Sequence, residues 1–216
     1  MAPPSATSTP AVGTKTRTGQ IPSIKRTYLM AYNIGSALSW ASVMRQLVTC
    51  VLSNPDSEVV GAREAFGQMG ETTKFVQTMA GFEVVHAALG LVRSSFLTTL
   101  SQVFSRFLMV WYILEFYPQV GNSPIYATMV FAWAFTEIIR YTFYAAGLVG
   151  AKVGWLETLR YNTFYLLYPM GAGSEAWLIF KSAPYAQKRF GDLGLYGTYV
   201  ICAIWPPGSS RPSLPH

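Results

Sequence analysis

Tyr168 and Glu175 are the two residues of this chain whose types and spacing best suit acid–base chemistry. Both lie in the stretch from Trp155 to Lys181, WLETLRYNTFYLLYPMGAGSEAWLIFK, which is apolar and aromatic enough to cross a bilayer. A charged side chain at that depth costs roughly 2.5–3.5 kcal/mol on insertion scales, so an intramembrane acid marks a functional site by default. Tyr168 precedes Glu175 by seven residues. Seven steps of an α-helix return to nearly the same face, about 10.5 Å along the axis. Pro169, Gly171 and Gly173 fall between them. Proline removes a backbone donor and crowds the preceding turn, and glycine relaxes the backbone, so the helix is expected to kink or open there. A kink would bring the phenol toward the carboxylate. The plainer role for any deep polar residue is helix–helix glue or a snorkelling side chain. For Tyr168 alone that role is preferred; beside Glu175 and the Pro-Gly break, catalysis is favoured.

Other polar residues offer weaker chemistry. Glu83 and His86 form a Glu-x-x-His pair. Di-metal bundles use that motif twice with further glutamates, so a single copy reads as a buried polar contact rather than a metal site. Arg45, Arg106, Glu137 and Arg140 sit in or near apolar segments, and Glu137 and Arg140 share a face at i, i+3. They suit either a charge network holding a bundle together or support for a site. Arg160 is placed to snorkel to headgroups or to grip a phosphate or a carbonyl. With only two histidines, His86 and His216, the chain lacks the ligands that membrane di-iron hydroxylases and desaturases need. Ser/His/Asp arrangements, a Walker loop and zinc-type spacings are absent from the sequence. No cofactor is expected.

The elements that must position these residues are helices. The chain has 216 residues, 51% of them hydrophobic and 12% charged. A soluble domain usually carries about 25% charged residues. The balance predicts an all-α polytopic membrane bundle of five to six transmembrane helices. The formal charge of +6 is scattered over loops and helix ends, as membrane topology requires, and does not call for nucleic acid. Cys50 and Cys202 lie in apolar segments and suggest core residues rather than a disulfide.

Three regions are expected: a disordered basic N-terminal tail over 1–26, a transmembrane domain over 27–205 and a short atypical tail over 206–216. Spans are predicted near 28–52, 73–92, 100–117, 125–149 and 156–180, lengths that suit a hydrocarbon core of about 30 Å. The net acidic segment 53–72 is expected as a loop facing away from the cytosol, with the N-terminus inside. Pro118, Gly121, Asn122 and Pro124 predict a turn. The last apolar run, 195–205, would reach roughly 16 Å, about half the membrane, so a complete sixth span is not expected.

At LRYNTFYLLYPMGAGSE the sequence closely resembles the very-long-chain (3R)-3-hydroxyacyl-CoA dehydratases, the protein-tyrosine-phosphatase-like A family of fatty-acid elongation. YLMAYNIGSALSWA, FEVVHAALGLVRSSFLTTLSQVFSR and WAFTEIIRYTFYA look like the same family, so the resemblance runs from about residue 26 to residue 205. It implies that the family's catalytic Tyr and Glu correspond to Tyr168 and Glu175. Its functionally important arginines and glycine would correspond to Arg140, Arg160 and Gly171, with Arg93 or Arg106 at a further position. The likeness to phosphatases is one of name, since neither cysteine has an arginine six residues later. Family members generally finish a sixth span and carry a basic tail, whereas this chain ends WPPGSSRPSLPH. That is read as an alternative or truncated end.

The reaction implied is loss of water from a (3R)-3-hydroxyacyl-CoA to give a trans-2-enoyl-CoA. A base must take the C2 proton beside the thioester carbonyl, and an acid must protonate the departing C3 hydroxyl. A carboxylate stripped of water is a strong base, and a phenol of ordinary acidity is protonated at neutral pH and can donate. Glu175 as base and Tyr168 as acid is the first assignment; the reverse, or one residue orienting the other, is also open. The resemblance further implies an endoplasmic reticulum membrane location, a long acyl chain inside the bundle and CoA at the cytosolic surface. Condensing enzyme, ketoreductase and enoyl reductase are the implied partners. The alternative is a non-enzymatic scaffold of the elongation enzymes. A small transporter is weaker, because no inverted repeat is evident and only one span is strongly interrupted.

Overall fold

Local capping signals set the helix starts. Ser57 accepts a hydrogen bond from the backbone N–H of Val60 (3.2 Å), and Glu58 sits in the positive first turn, so a helix opens there. Ser123 does the same for Ile125, with Pro124 at the first helical position. The computed structural model describes residues 23–151 and 153–205, and its elements are helices. They are α1 (Ser23–Leu52), α2 (Glu58–Met79), α3 (Gly81–Ala88), α4 (Phe96–Phe116), α5 (Pro118–Gly121) and α6 (Pro124–Leu148). A final helical run, Gly154–Ile204, is divided by Gly191 into α7 (154–190) and α8 (192–204). Within α4 the turn Leu108–Ile113 is π-helical, a local widening often found beside functional sites.

The central element is α6, which packs against α1, α2 and α7. The core between them holds Trp40 and Val43 of α1, Met69 of α2, Met109 and Ile113 of α4, and Met129 and Trp133 of α6. Leu178 and Ile179 close it from α7. The outer surface is also apolar in many places: Leu97, Phe104, Trp155, Tyr165, Leu166 and Leu193 are all exposed. One helix among the described residues, Phe96–Phe116 at 21 residues, is both long and apolar enough to cross a membrane. The all-α class expected from the sequence is therefore observed among the described residues, while of the five to six expected spans one segment has both the length and the hydropathy to cross a membrane.

The structure moves several boundaries. Helix α1 begins at Ser23, four residues inside the segment expected as tail. Residues 1–22, Lys152 and the end 206–216 lie outside the described residues. The segment expected as an acidic loop over 53–72 is mostly α2, and the span expected over 73–92 is split between α2 and α3. The reason is a buried stripe of modest hydrophobicity: Gly61, Ala65, Met69, Thr73 and Val76 face inward, leaving Glu58, Glu64 and Glu71 exposed. The predicted opening at Pro169–Gly173 is also displaced. The backbone keeps helical angles through Pro169, Gly171 and Gly173 and departs from them at Gly191 (φ 64°, ψ −153°), a region essentially reserved for glycine.

Beyond Gly191 the chain turns back. Helix α8 runs antiparallel along α7: the rings of Tyr199 and Phe180 lie 6.1 Å apart, and the Cys202 thiol donates to the Ala176 carbonyl at 3.7 Å. This hairpin returns Trp205 to the level of Glu175.

Candidate active site

Helices α2, α3, α4, α6 and α7 line an open cavity of about 730 Å³. Small-molecule sites commonly span about 300–1,000 Å³. Six of the seven residues that the family resemblance assigns to the site line it: Tyr168, Glu175, Arg140, Arg160, Gly171 and Arg106. Arg93 does not; it is exposed in the connection between α3 and α4. Arg45 is exposed on α1.

Glu175 is partly buried, and each of its oxygens accepts a hydrogen bond from an indole. Trp133 Nε1 of α6 donates to Oε1 at 2.6 Å, and Trp205 Nε1 donates to Oε2 at 2.9 Å. An indole can only donate, and an ionised carboxylate can only accept, so this environment matches the anion. No ion pair to Glu175 occurs among the described residues. One lone pair on each oxygen is left for another proton. Tyr168 lines the same cavity two turns earlier on α7. The helix between them lacks the bond Pro169 cannot donate, while Ser174 Oγ donates to the Met170 carbonyl at 2.7 Å.

Above the acid lies a balanced charge network. Arg140 grips Glu83 with both terminal nitrogens, at 2.8 and 2.6 Å, and donates from Nε to Glu137 at 2.6 Å. Arg106 pairs with the other oxygen of Glu137, and Tyr141 donates to Glu83. Glu137 is 3% exposed. Two cations and two anions thus satisfy one another, the condition under which buried charges are tolerated. The Arg106 guanidinium also lies 5.1 Å from the ring centroid of Trp133, linking the network to the indole that holds Glu175. Arg160 stands apart: it packs over Phe143 (4.8 Å) and Tyr144 (5.5 Å) and makes no ion pair among the described residues.

Glu83 and His86, three residues apart, go separate ways. Glu83 faces Arg140 and Tyr141, and buried His86 shares a 2.7 Å hydrogen bond with the Tyr28 hydroxyl. The cysteines are structural donors: Cys50 to the Gly61 carbonyl at 3.2 Å, Cys202 to Ala176. Neither lines the cavity.

Residues that sequence reasoning missed are Trp133, Trp205, Tyr141 and Gln77. For Trp133 a signal existed, since Trp133, Glu137, Arg140 and Tyr144 recur at helical spacing on one face of α6. Trp205 had none, lying 30 residues from its partner.

A helical bundle with a carboxylate, a phenol and guanidinium groups around one cavity is a scaffold for acid–base chemistry on a small molecule. The chain belongs to the protein tyrosine phosphatase-like (PTPLA) family, whose family model matches residues 77–210. It is 42% identical over 186 residues to the probable very-long-chain (3R)-3-hydroxyacyl-CoA dehydratase of Schizosaccharomyces pombe, covering 86% of each chain. It is 37% identical over 205 residues to the dehydratase PASTICCINO 2B of rice, covering 89% of this chain and 90% of that one. With very-long-chain (3R)-3-hydroxyacyl-CoA dehydratase 1 of mouse it shares 33% identity over 161 residues, 74% of this chain and 56% of the other. Dehydratases of this kind are hydro-lyases. No solved structure matches the chain.

Proposed function

We propose that this chain is a hydro-lyase that removes water from long-chain (3R)-3-hydroxyacyl-CoA to give trans-2-enoyl-CoA, with Glu175 and Tyr168 as its acid–base pair. The observation that carries the reading is the setting of Glu175: a carboxylate held by two indole donors, without a cationic partner among the described residues, on the cavity that Tyr168 also lines. The names of its relatives supply the substrate class.

The chemistry follows from the groups. Glu175 takes the C2 proton, and the electrons of that bond form the C2=C3 double bond. The C3–O bond breaks as the hydroxyl accepts the Tyr168 proton, and water leaves. Return of one proton from Glu175 to Tyr168, through solvent or substrate, restores both groups. The two indoles favour this direction because they suit the carboxylate that begins the reaction. A rise of about 10.5 Å between the two Cα positions leaves room for the reacting carbons between the side chains. Arg160 and the polar face of α4 (Thr98, Ser101, Gln102) form the part of the cavity suited to the pantetheine.

The protein works as a multi-pass protein of the endoplasmic reticulum membrane, N-terminus in the cytosol, beside the condensing enzyme, ketoreductase and enoyl reductase of elongation. The span Phe96–Phe116 and the exposed apolar side chains of α4, α7 and α8 support a lipid-facing exterior.

The test uses purified, lipid-supplied protein and a long-chain (3R)-3-hydroxyacyl-CoA. Tyr168→Phe and Glu175→Gln should each lower turnover by roughly 10²–10⁴-fold while the protein stays folded. Near-normal enoyl-CoA formation by either variant removes that residue from the mechanism.

A further inference from the structure

Gln77 of α2 is 0% exposed, yet neither Nε2 nor Oε1 of its side-chain amide has a hydrogen-bond partner. Natural proteins rarely leave such a group unpaired, because its lost hydration is not replaced. Two other buried side-chain polar groups among the described residues share this condition, the hydroxyls of Tyr117 and Tyr126, and neither lines the large cavity. Gln77 borders it, together with Arg106, Trp133, Tyr168 and Glu175, but its amide has no surface open onto the cavity. An unsatisfied amide just behind the wall of that cavity can be satisfied by a ligand with both a donor and an acceptor once the side chain turns toward the opening.

A primary amide presents N–H donors and a carbonyl acceptor side by side in one plane. The reacting end of a 3-hydroxyacyl thioester presents the complement, a carbonyl oxygen that accepts and a C3 hydroxyl that donates, two carbons apart. We propose that Gln77 turns its amide into the cavity when substrate enters and binds this end bidentately, Nε2–H donating to the thioester carbonyl and Oε1 accepting from the C3 hydroxyl. The assignment rests on the dehydratase reading and adds the residue that recognises the substrate's functional groups. As the C2 proton leaves, negative charge grows on the carbonyl oxygen and its bond from Nε2 strengthens. Oε1 meanwhile holds the hydroxyl that receives the Tyr168 proton and departs as water. Inverting C3 exchanges hydroxyl and hydrogen, so a fixed amide also favours the 3R epimer. A site built to bond a hydroxyl rejects analogues lacking it far more strongly than an apolar pocket does.

Gln77→Met keeps the length of the side chain and removes both polar atoms. Three measurements are made on purified wild type and variant: melting temperature, kcat/KM for a long-chain (3R)-3-hydroxyacyl-CoA, and relative affinity for that compound against the saturated acyl-CoA of equal length. The expected result is a melting temperature at or above wild type, kcat/KM lower by tenfold or more, and loss of the wild-type preference for the hydroxylated ligand. Turnover within twofold of wild type with the preference intact overturns the proposal. A variant that melts well below wild type also overturns it, because the amide would then be satisfied within the fold. If wild type forms no enoyl-CoA, the dehydratase reading falls on its own, and the binding preference still decides the role of Gln77: retained in Gln77→Met it refutes the assignment, lost it supports it.

Discussion

Trp205 donates its indole N–H to Glu175 Oε2 across the seam between α8 and α7, opposite the bond that Trp133 of α6 makes to Oε1. The carboxylate is thereby fixed in rotation by two neutral donors on different helices. Salt bridges would hold it as firmly but would tie up its charge. Indoles orient it without placing a full counter-charge in contact with it.

Trp205→Phe and Trp133→Phe keep the aromatic packing and each remove one donor. Hydrogen bonds to charged groups are worth about 1.5–3 kcal/mol, so each change should lower kcat roughly tenfold or more, with KM little altered. Steady-state kinetics on both variants check this. A rise in KM with kcat unchanged would assign the indoles to substrate binding instead.

Glu137 is the shared anion of Arg106 and Arg140. Glu137→Ala leaves Arg106 without its carboxylate and Arg140 with Glu83 alone, and breaking a buried pair from one side costs about 3–5 kcal/mol. Thermal unfolding in detergent should show a large drop, whereas Lys74→Ala, at an exposed pair with Glu71 and Glu115, should cost about 1 kcal/mol or less.

At Gly171 an added Cβ would lie 3.5 Å from Ala132 Cβ, an ordinary contact. Gly171→Ala should therefore fold normally and gain up to about 1 kcal/mol from its better helix propensity. Gly171→Leu should melt near wild type but lose kcat/KM, because the added side chain enters the cavity. Melting curves and turnover on the pair separate the backbone's need for glycine from the cavity's need for space.

Arg160 and Arg93 should part company. Arg160 lines the cavity over Phe143 and Tyr144, and Arg160→Ala is expected to raise KM roughly tenfold or more, with Arg160→Lys a poor substitute. Arg93 is exposed away from the cavity. Arg93→Ala should change kcat/KM by no more than roughly twofold, the scale of an ordinary surface substitution. Equal losses in both would place the CoA at the α3–α4 connection.

Much of the site could be read from the chain because its polar residues are conspicuous in an apolar background. Tyr168, Glu175 and Gly171 belong to one helix, and Arg140 lies three residues from Glu137 on another. Arg106 and Arg160 stood out for the same reason. What could not be read depends on contacts between distant segments. Gln77 is an ordinary polar residue until its lack of a partner is seen, and Trp205 follows a run too short to count as a span. Helix α2 was misjudged because its buried face is built from glycine, alanine and threonine, which hydropathy does not distinguish from a loop. At Pro169 the backbone keeps helical angles, and the departure falls at Gly191 instead. Packing of α7 against α6 supports the turn that lacks the proline's hydrogen bond.

The return of α8 along α7 has a temporal meaning. During synthesis Glu175 emerges with Trp133 already made, but its second donor follows 30 residues later. The nascent chain therefore carries an incompletely gripped acid until Gly191 has bent and the final helix has docked. Readiness for chemistry is set by the last part of this segment to leave the ribosome.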